Sequence, residues 1–225
     1  AKILEITQNV PYFHNFFLFL QVLRIYIMTR TIYSKFNKEE IPFLPQVVFT
    51  GRIIVVTTDK MAEKAVDFLL TQPILGVDTE TKPVFRKGQS NQVSLLQVST
   101  HDTCFLFRLN VLGIPSSIKR LLENTKTPMI GLSLHDDISA LRKRTDFNMG
   151  NFIDLQKVVG DIGIADLSLQ KIYANVFHEK ISKRQRLTNW DQAELSDKQK
   201  VYAATDAWAC IQLYEEIERL KSTGD

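Results

Sequence analysis

Residues 195–209 read LSDKQKVYAATDAWA and predict a long helix that carries a row of alanines. Ser196 is suited to cap the start of this helix, and the helical pattern continues to about Leu220. Tyr202 and Asp206 are four residues apart, so the two side chains lie on one face, a single turn from each other. Asp206 is either exposed, with the tyrosine packed beneath it, or buried among the alanines. A buried carboxylate must be paired or bound to a metal, so the second alternative indicates a functional site.

A short apolar run further upstream ends in two more carboxylates. Residues 76–80 read GVDTE and end a predicted strand over 74–80. Because side chains of a strand alternate between the two faces of a sheet, Asp78 and Glu80 point to the same face. Two adjacent carboxylates repel each other unless a proton or a cation lies between them, and a hard divalent metal ion suits that position. The alternative is a solvated pair of carboxylates at the end of a strand.

A third acidic stretch, GLSLHDD at residues 131–137, leads from a predicted strand over 129–132 into a helix. Asp136 and Asp137 both fall in the first helical turn, where a negative charge stabilises the helix dipole without any chemistry nearby. The residues alone therefore leave open whether either aspartate binds a metal.

The rest of the pattern alternates β-rich runs with helical segments, which predicts an α/β domain. The predicted strands lie at 52–56, 74–80, 92–98, 104–108, 129–132 and 152–155. The predicted helices run from a cap at Thr58 or Asp59 to about Leu70, and over 116–122, 136–144, 168–177 and 196–220. The first of these helices has its apolar positions at Met61, Ala65, Phe68 and Leu69. Turn-like residues between 92–98 and 104–108 indicate an antiparallel hairpin, so the sheet is expected to be mixed.

The composition is that of a globular protein that folds without disulfides. The chain has 225 residues, of which 44% are hydrophobic and 24% are charged, and its net charge is +3. These values exclude a disordered or fibrous protein, and the length favours one domain with a substantial core. Cys104 and Cys210 lack the close spacing of a zinc site or a disulfide framework. We therefore expect two buried thiols, a reducing compartment and a cytoplasmic location.

The N-terminal region differs from the rest in composition. Residues 1–27 are rich in aromatic side chains but include His14, Asn15, Gln21 and Arg24, which makes a membrane span unfavourable. The first methionine is Met28, so we interpret residues 1–27 as a leader or added segment outside the domain. Residues 28–50 are predicted to be a linker, and residues 51–222 are predicted to be the functional domain.

Taken in order, Asp78-Thr79-Glu80, Asp137 and the run YAATD at 202–206 resemble the three motifs of the DEDDy branch of the DEDD exonuclease superfamily. Asn189-Trp190 and residues 195–207 carry the most specific similarity, which is greatest to the Werner-type exonuclease domains and lower to ribonuclease D. The resemblance covers about residues 52–220. It implies a ribonuclease H-like fold in a single domain, with a mixed β-sheet flanked by α-helices. It also implies a 3′-5′ exonuclease that releases nucleoside monophosphates from nucleic acid, DNA or RNA, with a free 3′ end.

The same resemblance assigns roles to individual residues. Two divalent metal ions, Mg²⁺ or Mn²⁺, would be held by four carboxylates: Asp78, Glu80, Asp137 and Asp206. By its position in the second motif, Asp137 is the metal ligand and Asp136 is its neighbour. Tyr202 has an unperturbed pKa of about 10, so it is expected to orient the attacking water by a hydrogen bond rather than to take up its proton.

Predicted contacts with substrate lie close to these carboxylates in sequence. Lys183, Arg184 and Arg186 form a basic cluster suited to backbone phosphates, which provide affinity but no sequence preference. Thr79 and Phe85 are also expected to contact substrate, Phe85 by stacking on a terminal base. Two other functions remain open: a catalytically inactive nucleic-acid-binding module of the same fold, and a metal-dependent phosphoesterase for small molecules. No membrane partner and no protein partner is predicted.

Overall fold

Six strands form one sheet in the computed structural model, which describes residues 31–223 except 85, 87 and 89. They are β1 (Arg52–Val56), β2 (Leu75–Thr81), β3 (Val93–Ser99), β4 (Thr103–Arg108), β5 (Met129–Gly131) and β6 (Phe152–Asp154). Their order across the sheet is β1-β4-β3-β2-β5-β6. β3 is antiparallel to β2 and β4, whereas the β1–β4, β2–β5 and β5–β6 pairs are parallel. The predicted hairpin and the predicted mixed sheet are both confirmed.

Seven α-helices and two short 3-10 helices are found among the described residues. The α-helices are α1 (Asp59–Leu69), α2 (Leu109–Leu112), α3 (Ser116–Leu122), α4 (Leu134–Arg142), α5 (Leu155–Val158), α6 (Leu169–Phe177) and α7 (Asp197–Thr223). The 3-10 helices are Ile41–Phe43 and Val159–Ile162. Helix α7 is the long helix predicted from the alanine-rich stretch. Its start is capped as predicted, because the Ser196 hydroxyl accepts a hydrogen bond of 3.3 Å from the backbone N–H of Gln199.

Apolar side chains cover both faces of the central strands, so the sheet is the middle layer of a three-layer α/β arrangement. On β3, Leu96 and Val98 belong to the core formed with helices α1, α3 and α4. Leu95 belongs to a second core, on the other face, which includes Ala203 and Ala204 of α7. Helix α7 thus covers the face of the sheet that carries the predicted carboxylates.

The buried stripe of α1 shares two of its four residues with the apolar positions on which the helix was predicted. The buried residues are Ala62, Ala65, Val66 and Leu69. Of the four apolar positions that define the helical pattern, Ala65 and Leu69 are buried, whereas Met61 and Phe68 are 37% and 41% exposed. Both patterns have helical spacing, so the prediction of the helix does not depend on which of the two faces the core.

The described part of the predicted linker is packed against the domain. The backbone of Tyr33 exchanges two hydrogen bonds, of 3.0 and 2.6 Å, with the buried side chain of Asn175. The N–H of Phe36 donates to the buried carboxylate of Asp166 at 2.7 Å. Further along, Lys180 donates its backbone N–H to the carbonyl of Pro45 at 2.8 Å. The described residues from Tyr33 to Thr223 are therefore part of one compact unit.

The predicted leader, residues 1–27, lies outside the residues that the structure describes. Within the described part of the chain, no helix is both long enough and apolar enough to cross a membrane. The interpretation of residues 1–27 as a leader stays a prediction.

Candidate active site

The close approach of α7 to β2 brings the first and third acidic motifs together. A Cβ atom added at Gly76 would lie 1.9 Å from the carbonyl oxygen of Ala207, so only glycine allows helix and strand to be this close. Gly76, Asp78 and Glu80 are on the same face of the strand because they are two residues apart. The carboxylate of Asp206, next to Ala207, therefore lies above this face.

Three of the predicted carboxylates form a tight cluster. Asp78, Glu80 and Asp206 each offer an oxygen atom, and these atoms lie within 4.8 Å of one another. Glu80 is 7% exposed and Asp206 is 6% exposed, whereas Asp78 keeps part of its surface open to a cavity. Three acidic oxygens at this spacing are a donor set that a hard divalent cation prefers.

Burial and mutual repulsion raise the pKa values of all three carboxyl groups. The pKa of Glu80 is raised to about 9, first by burial and then by the charges of Asp206 and Asp137. Burial raises the pKa of Asp206 to about 7, while Lys183 and a hydrogen bond from Tyr202 oppose the rise. The pKa of Asp78 is raised well above its usual value by burial and by the three neighbouring carboxylates. Positive charge in the cluster would relieve these costs.

Asp137, not Asp136, faces the cluster. The Thr79 hydroxyl of β2 donates a hydrogen bond to the carboxylate of Asp137, which is partly buried in the first turn of α4, whereas Asp136 is exposed. Burial raises the pKa of Asp137 to about 6, although the hydrogen bond from Thr79 lowers it. Asp137 in turn raises the pKa values of Asp78 and Glu80. Asp137 lies outside the group of Asp78, Glu80 and Asp206, so its role as a metal ligand stays a prediction.

The start of α4 is held by a carboxylate from the next strand. Asp154 accepts hydrogen bonds from the backbone N–H groups of Ser133 at 3.0 Å and Leu134 at 2.9 Å. Ser133 adopts a left-handed conformation with φ 62°, which is uncommon for a residue other than glycine. The contact begins the helix at Leu134, two residues before the predicted start, and it fixes the turn that carries Asp137.

Tyr202 lies beside the carboxylates with its ring packed and its hydroxyl protonated. The side chain is 9% exposed, and its ring centroid is 6.0 Å from that of the buried Trp190. Burial and the charges of Asp206 and Glu80 raise the pKa of the Tyr202 hydroxyl far above its usual value. The hydroxyl is therefore a hydrogen-bond donor at neutral pH and cannot act there as a phenolate base.

The basic cluster is divided between two cavities that share Tyr202 as a wall. Lys183 and Arg186 line a cavity of about 290 Å³ together with Asp78 and Asp206. Arg184 lines a neighbouring cavity of about 390 Å³. Lys183 lowers the pKa of Asp206 and Arg186 lowers that of Glu80, so both cations act on the cluster. Phe85 lies outside the described residues, so its predicted stacking role stays a prediction.

Sequence reasoning missed Gln199, which holds the loop between the basic cluster and α7. Its side chain is 2% exposed and donates hydrogen bonds to Thr188 at 3.0 Å and to the carbonyl of Asn189 at 3.3 Å. Its amide oxygen accepts a hydrogen bond from the backbone N–H of Ser196 at 3.1 Å. Ser196 and Gln199 thus form a capping box, and the Ser-x-x-Gln spacing was the available signal.

Comparison with known proteins shows the family to which this sequence is related. A family model described as 3′-5′ exonuclease matches residues 53–220. The chain belongs to the 3′-5′ exonuclease family. One relative of this exonuclease chain is the bifunctional 3′-5′ exonuclease/ATP-dependent helicase WRN of Mus musculus, 28% identical over 156 residues. Those residues are 67% of this chain but only 11% of the mouse protein. A 3′-5′ exonuclease of Arabidopsis thaliana is 30% identical over 195 residues, covering 78% of this chain and 67% of that protein.

Solved structures of other exonucleases have the same fold. The Nibbler EXO domain of Aedes aegypti matches with a TM-score of 0.70 at 20% identity, covering 77% of this chain and 90% of that one. RNase D of Escherichia coli matches with a TM-score of 0.65 at 19% identity, covering 76% of this chain and 46% of that one. The predicted ribonuclease H-like α/β fold is confirmed.

Proposed function

We propose that this exonuclease-family chain hydrolyses the terminal phosphodiester bond at the 3′ end of a nucleic acid strand and releases nucleoside monophosphates. The observation that carries the proposal is the cluster of Asp78, Glu80 and Asp206 within 4.8 Å, at a cavity that two basic side chains also line. An inactive binding module of the same fold has no need to bury carboxylates that repel one another. The cost of the cluster therefore favours catalysis over binding alone.

We propose that these residues hold two divalent ions, Mg²⁺ or Mn²⁺. The donor set consists of hard carboxylate oxygens, and all of its pKa values are raised because negative charge is crowded and buried. We propose Asp78, Glu80 and Asp206, with Asp137 beside them, as the ligands. The ions would supply Lewis-acid activation of the attacking water and neutralise charge on the leaving oxygen.

The protein groups around the carboxylates would orient the reactants. The protonated Tyr202 hydroxyl would donate a hydrogen bond near Asp206 and so direct the water, in the role that we predicted. The Thr79 hydroxyl is engaged by Asp137, so we propose that Thr79 positions this carboxylate in addition to its predicted contact with substrate. Preorganised groups of this kind reduce the cost of bringing reactants into line.

The two cavities suit a strand rather than a single nucleotide. Lys183 and Arg186 would bind the phosphate next to the scissile bond, and Arg184 in the neighbouring cavity would bind a phosphate further along the strand. A small phosphodiester would reach only the first of these groups. This length dependence separates the proposal from a phosphoesterase for small molecules, while DNA and RNA both satisfy it.

The test is digestion of 5′-labelled single-stranded and 3′-recessed oligonucleotides, as DNA and as RNA, with Mg²⁺, Mn²⁺ or EDTA. We expect a ladder that shortens from the 3′ end with either metal and intact strands with EDTA. Bis(p-nitrophenyl) phosphate in parallel reactions should be cleaved much more slowly. Intact oligonucleotides that are nonetheless retarded in a binding gel would favour the inactive module, and rapid cleavage of the small diester alone would favour the phosphoesterase.

We also propose a reducing compartment, the cytoplasm, for this exonuclease. Cys104 and Cys210 are both free and buried, and burial raises the pKa of each thiol. Neither thiol depends on an oxidising environment. Cell fractionation with a specific antibody tests the location, and recovery in a secreted fraction would contradict it.

A further inference from the structure

Gln97 in the middle of β3 is a buried polar side chain whose hydrogen bonds are not made. It is 0% exposed, and neither the nitrogen nor the oxygen of its amide has a hydrogen-bond partner among the described residues. Buried amides are almost always paired, and an unpaired amide destabilises the folded state. A hydrophobic residue would suit this position in the core better, so the presence of glutamine calls for another explanation.

The position of Gln97 in the sheet points to the carboxylate cluster. Gln97 pairs directly with Asp78 in the antiparallel register of β2 and β3. Directly opposite residues project to the same face, with Cβ atoms about 4.5–5.5 Å apart. This is the face that α7 covers, and it is the face that carries the active-site cluster.

Within the sheet, Gln97 has apolar neighbours on β4 and earlier on its own strand. On the opposite side, β4 places Leu106 directly across from Gln97. Leu95, two residues earlier on the same face, packs with Leu106 and Trp190 in the second core. The indole N–H of Trp190 is also buried without a partner among the described residues. Of the two carboxylates on β2, Asp78 is directly opposite Gln97, whereas Glu80 is opposite Leu95.

We propose that Gln97 is a positioning residue for Asp78, whose carboxylate receives an N–H of the Gln97 amide through one buried water. This inference rests on the proposed metal-dependent function. A carboxylate has about four acceptor sites, so it can accept such a bond and still bind a cation. Hydrogen bonds to a metal-binding carboxylate hold its orientation, and removing one typically costs 10–100-fold in metal affinity or activity.

The proposal predicts opposite effects of one substitution on stability and on metal binding. Gln97→Met keeps the length of the side chain and removes the unpaired amide. We expect its metal-free form to melt at the wild-type temperature or above, because the substitution removes a buried amide and breaks no hydrogen bond between protein groups. We expect its affinity for Mn²⁺ to fall by about 10–100-fold. A residue with a purely structural role would not separate these two properties.

The experiment measures three quantities on each purified variant: thermal unfolding in EDTA, Mn²⁺ affinity by calorimetry per folded molecule, and kcat and KM on an oligonucleotide. Ser99→Ala, on the same strand and equally buried, is the matched control. It should leave the Mn²⁺ affinity, kcat and KM unchanged. For Gln97→Met we expect weaker Mn²⁺ binding and lower kcat with KM for the strand unchanged.

Wild-type Mn²⁺ affinity in folded Gln97→Met would overturn the proposal, whether the variant is more or less stable than the wild type. If Gln97→Met does not fold, Gln97→Leu is measured in its place with the same criterion. Failure of the proposed function is distinguishable, because wild-type protein would then bind Mn²⁺ and leave the oligonucleotide intact. The effect of Gln97 on Mn²⁺ affinity can still be measured in that case.

Discussion

At the scale of single residues, the buried carboxylates lie close enough together to raise one another's pKa values. Burial is the largest cause of the raised pKa values of Asp78, Glu80 and Asp206, and repulsion between neighbouring carboxylates adds to it at Asp78 and Glu80. Two cations oppose the rise: Lys183 lowers the pKa of Asp206, and Arg186 lowers the pKa of Glu80. The folded state therefore holds protons more tightly than the unfolded chain, and this difference links stability to pH.

The first prediction is that the metal-free protein becomes less stable as pH rises. Raised carboxyl pKa values make a contribution to stability that is fully present below pH about 4 and is lost as pH rises through the folded pKa values. Those values are about 6 for Asp137, about 7 for Asp206 and about 9 for Glu80. In EDTA we expect the melting temperature to fall by several degrees between pH 5 and pH 9. Calorimetry with and without Mg²⁺ checks it, and Mg²⁺ should reduce the fall.

The control for the pH prediction is Asp206→Asn, which removes one of the titrating groups. Its metal-free melting temperature should depend less on pH than that of the wild type. A wild-type melting temperature that does not change with pH in EDTA would contradict the raised pKa values.

Asp136 and Asp137 provide a matched pair of neighbouring residues. Asp137 is held by Thr79 near the cluster, whereas Asp136 is exposed. We expect Asp137→Asn to lower kcat on the order of 100-fold, equivalent to about 2.7 kcal/mol, and Asp136→Asn to stay near wild type. Rates of nucleotide release from one oligonucleotide measure both. Equal losses in the two variants would argue against Asp137 as the specific ligand.

Tyr202 tests the role of the protonated hydroxyl. Tyr202→Phe keeps the ring that packs against Trp190 and removes only the hydroxyl. We expect kcat to fall by about 100-fold and KM for the strand to change little, because an orienting group acts on the reaction rather than on binding. Steady-state kinetics separates the two constants. An unchanged kcat would remove Tyr202 from the mechanism.

Residue patterns predict those parts of the site that depend on local spacing. The period of a strand places Asp78 and Glu80 on one face, and the turn of a helix aligns Tyr202 with Asp206. Gln97 could not be found in this way, because its relation to Asp78 is set by the register between two strands. The hydrogen bond from Thr79 to Asp137 likewise joins residues that are 58 positions apart.

At the scale of elements, the contact between β2 and α7 determines whether the cluster forms. Gly76→Ala would place a methyl group 1.9 Å from the carbonyl oxygen of Ala207 and force helix and strand apart. We expect a loss of about 1–3 kcal/mol in the free energy of unfolding, as for other overpacked cores, together with lower activity. Urea denaturation measures the loss.

Gly160→Ala is the control for this prediction, because nothing lies within 4 Å of a Cβ atom added at Gly160. Equal stability of the Gly76→Ala and Gly160→Ala variants would contradict the tight contact between β2 and α7.

The bounds of elements were predictable where local signals define them. The strand Arg52–Val56 and the helix Ser116–Leu122 occur at the predicted positions. Helix α4 begins earlier than predicted because Asp154, more than 15 residues later in the chain, binds the backbone of Ser133 and Leu134. Strand order is also set by tertiary contacts, so the local pattern predicts the mixed sheet but not its order.

At the scale of the whole molecule, acidic residues from distant parts of the chain meet beside a basic loop. The segment from Tyr33 contributes to this architecture, since its hydrogen bonds join residues such as Phe36 and Asp166 that are 130 positions apart. A composition-based prediction of a linker could not include these contacts, because polar residues at 28–50 resemble those of a flexible connection. The net charge of +3 also hides the local separation of acidic cluster and basic loop.

The measurement that tests the central claim most directly is the release of mononucleotides from the 3′ end by wild-type protein and by Asp206→Asn. Bound Mn²⁺ is determined in the same preparations, and circular dichroism verifies that both proteins are folded. We expect the variant to bind less Mn²⁺ and to release nucleotides on the order of 100-fold more slowly, because a carboxylate has left the cluster. A folded Asp206→Asn protein that binds Mn²⁺ and releases nucleotides at the wild-type rate would contradict the assignment of this cluster as the catalytic centre.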